Sequence, residues 1–79
     1  MATKLDVLYK LRNIFREIFD DEDMIITEET SRKDIEDWDS VAHVKLVLAI
    51  EAEFNIRFTT EEVSTIKTVG DFLNVIEKH

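Results

Sequence analysis

The chain has 79 residues, a formal net charge of −8, no cysteine, no proline and one glycine. That is one domain's worth of chain with a modest core, and the missing cysteines exclude a disulfide framework and a zinc–thiolate site. The stretch from Asp20 to Asp39 alone holds ten acids against Arg32 and Lys33, so its field repels nucleic acid and anionic membrane and attracts basic protein surfaces.

The chain opens Met-Ala-Thr-Lys-Leu-Asp, without a long apolar run behind a basic start, so no signal peptide is read. No apolar stretch is long enough to span a bilayer. The expectation is a soluble, cytoplasmic protein, a single domain over residues 1–79, and a monomer. Thr3-Lys4-Leu5-Asp6 resembles a capping box with Asp6 in place of glutamate. Behind it Leu5, Leu8, Leu11, Ile14, Phe15, Ile18 and Phe19 recur at spacings of three and four. This predicts a core-facing helix over 4–19.

Asp20 to Asp39 has no sustained period. A connection of that length is usually functional or packed down by its own side chains. Met24, Ile25 and Ile26 are expected to tuck it onto the helices, with Ile35 and Trp38 as further anchors. Thr30-Ser31 followed by Asp34 offers a short turn of helix. A second helix is predicted from Ser40 to about Phe54. Val41, Val44, Leu48 and Ala52 form one line on it, with Val47, Ile50 and Phe54 beside. That apolar surface is wide, which implies burial or contact with other proteins on a second side. Asn55 suits a left-handed cap, and Ile56 and Phe58 alternate around Arg57 as a short extended segment. Thr59-Thr60-Glu61-Glu62 opens a short third helix to Ser64 or Thr65, with Ile66 as an anchor after it. Thr68-Val69-Gly70-Asp71 opens the last, with Val69, Phe72, Leu73 and Ile76 as its stripe.

Catalytic readings find little support. His43 follows Ser40 by three positions, within reach on a helix, and Asp37 or Asp39 is available to orient it. A nucleophilic serine also needs an oxyanion hole and a dry pocket, and a small core with one glycine supplies neither. His43 is therefore expected to be an exposed helix-surface histidine. Asp20, Asp21 and Asp23 are crowded, but no start among them gives the glycine and glutamate of a calcium loop, so no metal site is expected. Ser40 has the ordinary role of a helix cap open to it. Asp37 and Asp39 already offer capping carboxylates, however, and a serine at a helix N-terminus is electrostatically suited to carry a phosphate.

Asp39-Ser40-Val41, followed by Val44, Leu46-Val47, Glu51, Glu53 and Phe54, resembles the acyl carrier protein family, in which an Asp-Ser-Leu signature opens the second helix. The likeness covers nearly the whole chain. It implies an all-α four-helix bundle with a short third helix and a long loop between the first and second. It implies that Ser40, flanked by Asp39, is esterified with 4′-phosphopantetheine from coenzyme A by a phosphopantetheinyl transferase. The thiol of that arm would carry acyl groups as thioesters to acyl-loading and acyl-transferring enzymes, which read the second helix. The protein itself would not be an enzyme, and its lack of cysteine fits a thiol brought by the cofactor. Fatty-acid, polyketide or related lipid biosynthesis is implied. An aminoacyl or peptidyl carrier, or a helical interaction module without a prosthetic group, stays open.

A carried alkyl chain is costly in water, at roughly 0.8 kcal/mol per CH₂. Val44, Leu48, Phe54, Ile66 and Phe72 are the candidates to line a gap that shelters it. Trp38, Val41, Ala42, His43 and Lys45 depart from the family's usual residues. They are read as an unusual docking face that basic partner surfaces would bind less well.

Overall fold

The structure, a computed structural model, describes residues 4–79. Four helices follow one another: α1 (Lys4–Ile18), α2 (Ser40–Phe54), α3 (Thr60–Thr65) and α4 (Val69–Lys78). No strand occurs among the described residues; a single antiparallel bridge joins Ser31 to Thr68. The expected all-α four-helix bundle with a short third helix is the observed one. The Thr3–Asp6 capping box lies outside the described residues.

The two long helices α1 and α2 each stop at a left-handed residue. At the end of α1, Asp20 takes φ 51°. Its N–H donates to the Glu17 carbonyl and that of Asp21 to the Arg16 carbonyl, the paired bonds of a Schellman motif. After α2, Asn55 adopts φ 54°, ψ 51° and its N–H reaches the Glu51 carbonyl. A left-handed residue with a Cβ costs roughly 1–2 kcal/mol, least for Asp and Asn. A chain with one glycine therefore uses those two. The single glycine, Gly70, is used for close approach instead: a Cβ there would meet the Glu28 carbonyl oxygen at 3.0 Å.

The core gathers Leu11 and Phe15 of α1, Leu46 and Ile50 of α2, Ile66, and Val69, Phe72 and Leu73 of α4. Val7 joins it, whereas Leu5, expected in the stripe, is 77% exposed. Four rings meet at the centre. Phe15 sets its edge to Trp38 at 5.3 Å and to Phe72 at 6.2 Å, and Trp38 stacks on Phe72 at 6.2 Å. His43 lies against both Trp38 and Phe72.

The register of α2 differs from the expected one. Ala42, His43, Leu46, Val47 and Ile50 face inward. Val41, Val44 and Leu48 are 64%, 52% and 59% exposed. Apolar residues occupy both sides of this helix, so their spacing alone does not select the buried face. The packing of Leu46 and Ile50 beneath α1, and the ring contacts of His43, do.

The loop from 20 to 39 is held by few, specific anchors. Ile26 and Trp38 are buried, Met24 and Ile35 half-buried, and Ile25 faces solvent. Arg16 Nε donates to the Met24 carbonyl at 2.7 Å. At Ser31 the expected helical turn is a hydrogen-bonded turn only: Asp34 Oδ2 accepts from both the N–H and the hydroxyl of Ser31.

The start of α3 is a complete capping box. Thr59 Oγ1 accepts from the Glu62 N–H, and Glu62 Oε1 accepts from the Thr59 N–H. The bond from the Thr59 backbone holds the Glu62 carboxyl below the usual glutamate range, opposed by partial desolvation and assisted by His79. A carboxyl whose folded value is lowered stabilises above its unfolded value, and that support is lost as pH falls through the folded value. Amide-exchange protection in α3 is thus expected to fall as pH drops below the ordinary glutamate value of 4.5. Glu62→Gln should lose this acid dependence; equal acid sensitivity in the variant would refute it.

Candidate functional site

The start of α2 follows from its cap. Asp39 has extended backbone angles, φ −97° and ψ −171°, and its Oδ1 accepts from the Ala42 N–H at 2.9 Å. Its carbonyl accepts from the His43 N–H at 2.9 Å. Ser40 is therefore the first helical residue rather than the cap. It is exposed, and its hydroxyl makes no hydrogen bond among the described residues. The first N–H groups of a helix lack intrahelical acceptors. Asp39 satisfies that of Ala42, which leaves the amides of Ser40 and Val41 at the positive end of the α2 dipole.

Behind Ser40 the chain is fixed from two directions. The Trp38 N–H donates to the Ile35 carbonyl at 3.1 Å, and the Trp38 carbonyl accepts from Arg32 Nε at 3.4 Å. The indole is 3% exposed and donates from Nε1 to His43 Nδ1 at 3.1 Å. A groove of about 260 Å³ runs beside the serine, lined by Ile18, Phe19, Asp20, Asp37, Asp39, Val41, Ala42 and Lys45.

The expected site residues divide into those the fold brings to Ser40's surface and those it does not. Asp39, Val41 and Lys45 are exposed beside the serine. Trp38, Ala42 and His43 are buried, so they do not form a docking face; the inward register of α2 turns Ala42 and His43 into the core, and Trp38 enters it from the loop against Phe15 and Phe72. A Ser40–His43 couple does not form either. Both ring nitrogens of His43 are taken, Nδ1 by Trp38 and Nε2 by the Val63 carbonyl at 3.0 Å.

The five residues expected to line one acyl gap are not brought together. Val44 and Leu48 face solvent. Ile66 and Phe72 sit in the closed core. Phe54 is half-buried, in a groove with Val7, Ile56, Ile76, Glu77 and His79. The groove that does adjoin Ser40 uses Ile18 and Phe19. Both belong to the α1 stripe, but nothing in a helical stripe tells which of its residues will stand at the rim of a site. Val63 contributes a backbone carbonyl, which no residue type signals.

Among the described residues, no three His, Asp or Glu side chains are gathered to hold a metal ion, and no helix is long and apolar enough to cross a membrane.

A sequence model described as the phosphopantetheine attachment site matches residues 10–76, Ser40 included. The chain is 32% identical over 78 residues to an acyl carrier protein of Thermotoga maritima, covering 99% of this chain and 96% of that one. It is 37% identical over 73 residues to an acyl carrier protein of Phenylobacterium zucineum, covering 92% of each. The chain belongs to the acyl carrier protein family. The fold agrees. The solution structure of a holo acyl carrier protein from Geobacter metallireducens superposes with a TM-score of 0.83 at 39% identity, over 90% of this chain and 82% of that one. The crystal structure of the Thermotoga maritima acyl carrier protein gives 0.82 at 28% identity, over 95% and 87%.

Acyl carrier proteins are carriers rather than enzymes, and phosphopantetheine, held covalently, is the group this domain is built for. An exposed hydroxyl with no internal partner, rooted at a capped helix N-terminus, fits a phosphodiester. Its charge would meet free backbone amides at the root and an apolar-edged groove beyond.

Because Asp39 rather than Ser40 caps α2, Asp39→Ala is expected to cost about 1 kcal/mol in urea unfolding. Asp39→Asn, which keeps the accepting oxygen, should stay within a few tenths of wild type. Equal losses in both would place the cap elsewhere.

Proposed function

We propose that this chain holds acyl intermediates as thioesters on a 4′-phosphopantetheine arm joined to Ser40. It presents them to partner enzymes in fatty-acid or related lipid biosynthesis, acting as a monomeric carrier domain in the cytoplasm. The observation that carries this reading is the serine itself: exposed, uncapping, without a hydrogen bond among the described residues, at the N-terminus of a helix inside a matched phosphopantetheine attachment domain. The names of the relatives favour an acyl over an aminoacyl or peptidyl cargo.

The chain's own residues have three tasks in this reading. Asp39 fixes the first turn, so the root of the arm is rigid. Trp38 ties the preceding loop to the core. The groove by Ile18, Phe19 and Val41 gives apolar contact near the root. When bound, the prosthetic group supplies the thiol that the protein lacks. A phosphopantetheinyl transferase would install it, joining Ser40 Oγ to the phosphate and releasing the nucleotide part of coenzyme A.

Intact mass after incubation with coenzyme A and a broad-specificity transferase tests the attachment. A gain of one phosphopantetheine is expected in the native chain and none in Ser40→Ala, with helix content unchanged. No gain in the native chain with any transferase would favour a plain interaction module, and a gain that persists in Ser40→Ala would move the site.

The docking face of α2 is the exposed row Val41, Val44 and Leu48 with Lys45 beside it. The first turn of α2 carries no acid. Enzymes that dock through arginine and lysine therefore find a cation where they need a carboxylate. Lys45→Glu is expected to raise acyl transfer from a housekeeping malonyl transferase by about two- to fivefold, the worth of one exposed ion pair. Native transfer already at the housekeeping level would contradict specialised partners.

A further inference from the structure

His43 is a buried, titratable side chain, 7% exposed, that the carrier reading leaves without a task. Its surroundings fix its chemistry. An indole N–H can only donate, so the bond from Trp38 Nε1 requires an unprotonated Nδ1 on His43. The neutral ring then carries its proton on Nε2 and donates it to the Val63 carbonyl at 3.0 Å.

That carbonyl belongs to the last turn of α3. A longer helix would satisfy it from the amide of residue 67, but the helix ends at Thr65 and the Lys67 N–H donates to Asp71 Oδ2 instead. The neighbouring end carbonyls are met locally: Glu61 by the Ser64 hydroxyl and Glu62 by the Thr65 hydroxyl. Val63 is met from α2. The short helix buries no residue fully, Ile66 just after it is buried, and this bond adds a polar tie from its last turn to α2. The other side of the same ring holds Trp38, two residues before Ser40.

We propose that His43 is a positioning residue. Its neutral Nε2–H form links the end of α3 to the loop that presents Ser40, and a proton on Nδ1 breaks the Trp38 end of that link while Nε2–H still meets the Val63 carbonyl. A proton on Nδ1 sets two N–H donors against each other, so Trp38 loses its acceptor. The Trp38 end is held while the ring is neutral and is released as pH falls. Charged groups on every adjoining element are engaged elsewhere or face solvent. Asp39 caps Ala42, and Lys45 is exposed. On α3, Glu62 binds the Thr59 N–H and lies 3.8 Å from His79; on α4, Asp71 accepts from Lys67 and Thr68. None of these hydrogen-bonds to the ring, since both its nitrogens are occupied.

The role assigned to Ser40 rests on the carrier reading, and the test separates the two. Long-range ¹H–¹⁵N spectra of the full chain report the His43 tautomer, and the chain's one indole N–H reports Trp38. The expected neutral form is Nε2–H. As His43 protonates, exchange protection should drop at least fivefold at the Trp38 indole, while α1 and α4 keep theirs. In His43→Gln, which keeps a donor for Val63 but does not titrate, that step should vanish. Trp38→Phe removes the opposing donor. An Nδ1–H tautomer, or an indole step that survives in His43→Gln, overturns the proposal. Initial loading rates of Ser40 over the same pH range are expected to fall with the indole step in the native chain and not in Trp38→Phe. Identical profiles overturn the positioning role. A native chain that never loads refutes the carrier reading, and the spectra alone then decide the link.

Discussion

One hydrogen bond, from the Trp38 indole to His43 inside a cluster of rings, decides how the attachment loop meets the bundle. The loop from Asp20 to Asp39 has no helix or strand of its own. Its acids repel one another, and its backbone is tied to the start of α4 only around residues 28–32, where the Glu28 and Thr30 carbonyls accept from Gly70 and Val69 and the Arg32 N–H donates to the Lys67 carbonyl; the part next to Ser40 depends on Trp38. Burying one indole against Phe15 and Phe72 contributes on the order of 4 kcal/mol. The hydrogen bond satisfies the only polar group that this burial would strand. Without it the burial would be penalised by an unpaired N–H, which costs roughly 1–3 kcal/mol. The position of Ser40 is thus set from behind by an aromatic core and from in front by the Asp39 cap.

The division of labour between these two groups explains why the serine is free. A serine at a helix start commonly accepts a backbone N–H. Here Asp39 takes that task and extends from a loop already fixed by Trp38. The hydroxyl of Ser40 is left with no internal partner at the one place where helix polarity favours an attached anion. The acids of the loop and the bare, apolar face of α2 then give partners two different surfaces on either side of the root.

The helix starts were legible in the sequence because they are local. Thr59, Thr68 and Asp39 precede their helices with the side chains that caps require, and Asn55 ends α2 in the conformation its side chain tolerates. The buried face of α2 was not legible. Valine and leucine surround the helix, so periodicity carries little information, and the expected line of Val41, Val44 and Leu48 is the outer one. His43 reads as a surface residue on the same grounds. Its burial depends on an indole five positions away and on a backbone carbonyl in another helix, and neither leaves a mark on local spacing. The acyl-gap residues failed for the same reason: Val44 and Leu48 share a helix with the core but not its inner side.

The claim that the loop is part of the cooperative bundle, anchored by Trp38, can be tested on the chain's single tryptophan. Its fluorescence and the far-UV circular dichroism should be followed through one urea titration. The account predicts a blue-shifted native emission and two transitions that coincide, because the indole leaves the core only when the helices unfold. A native emission like that of free indole in water, or an indole transition at lower urea than the loss of helix, would contradict it.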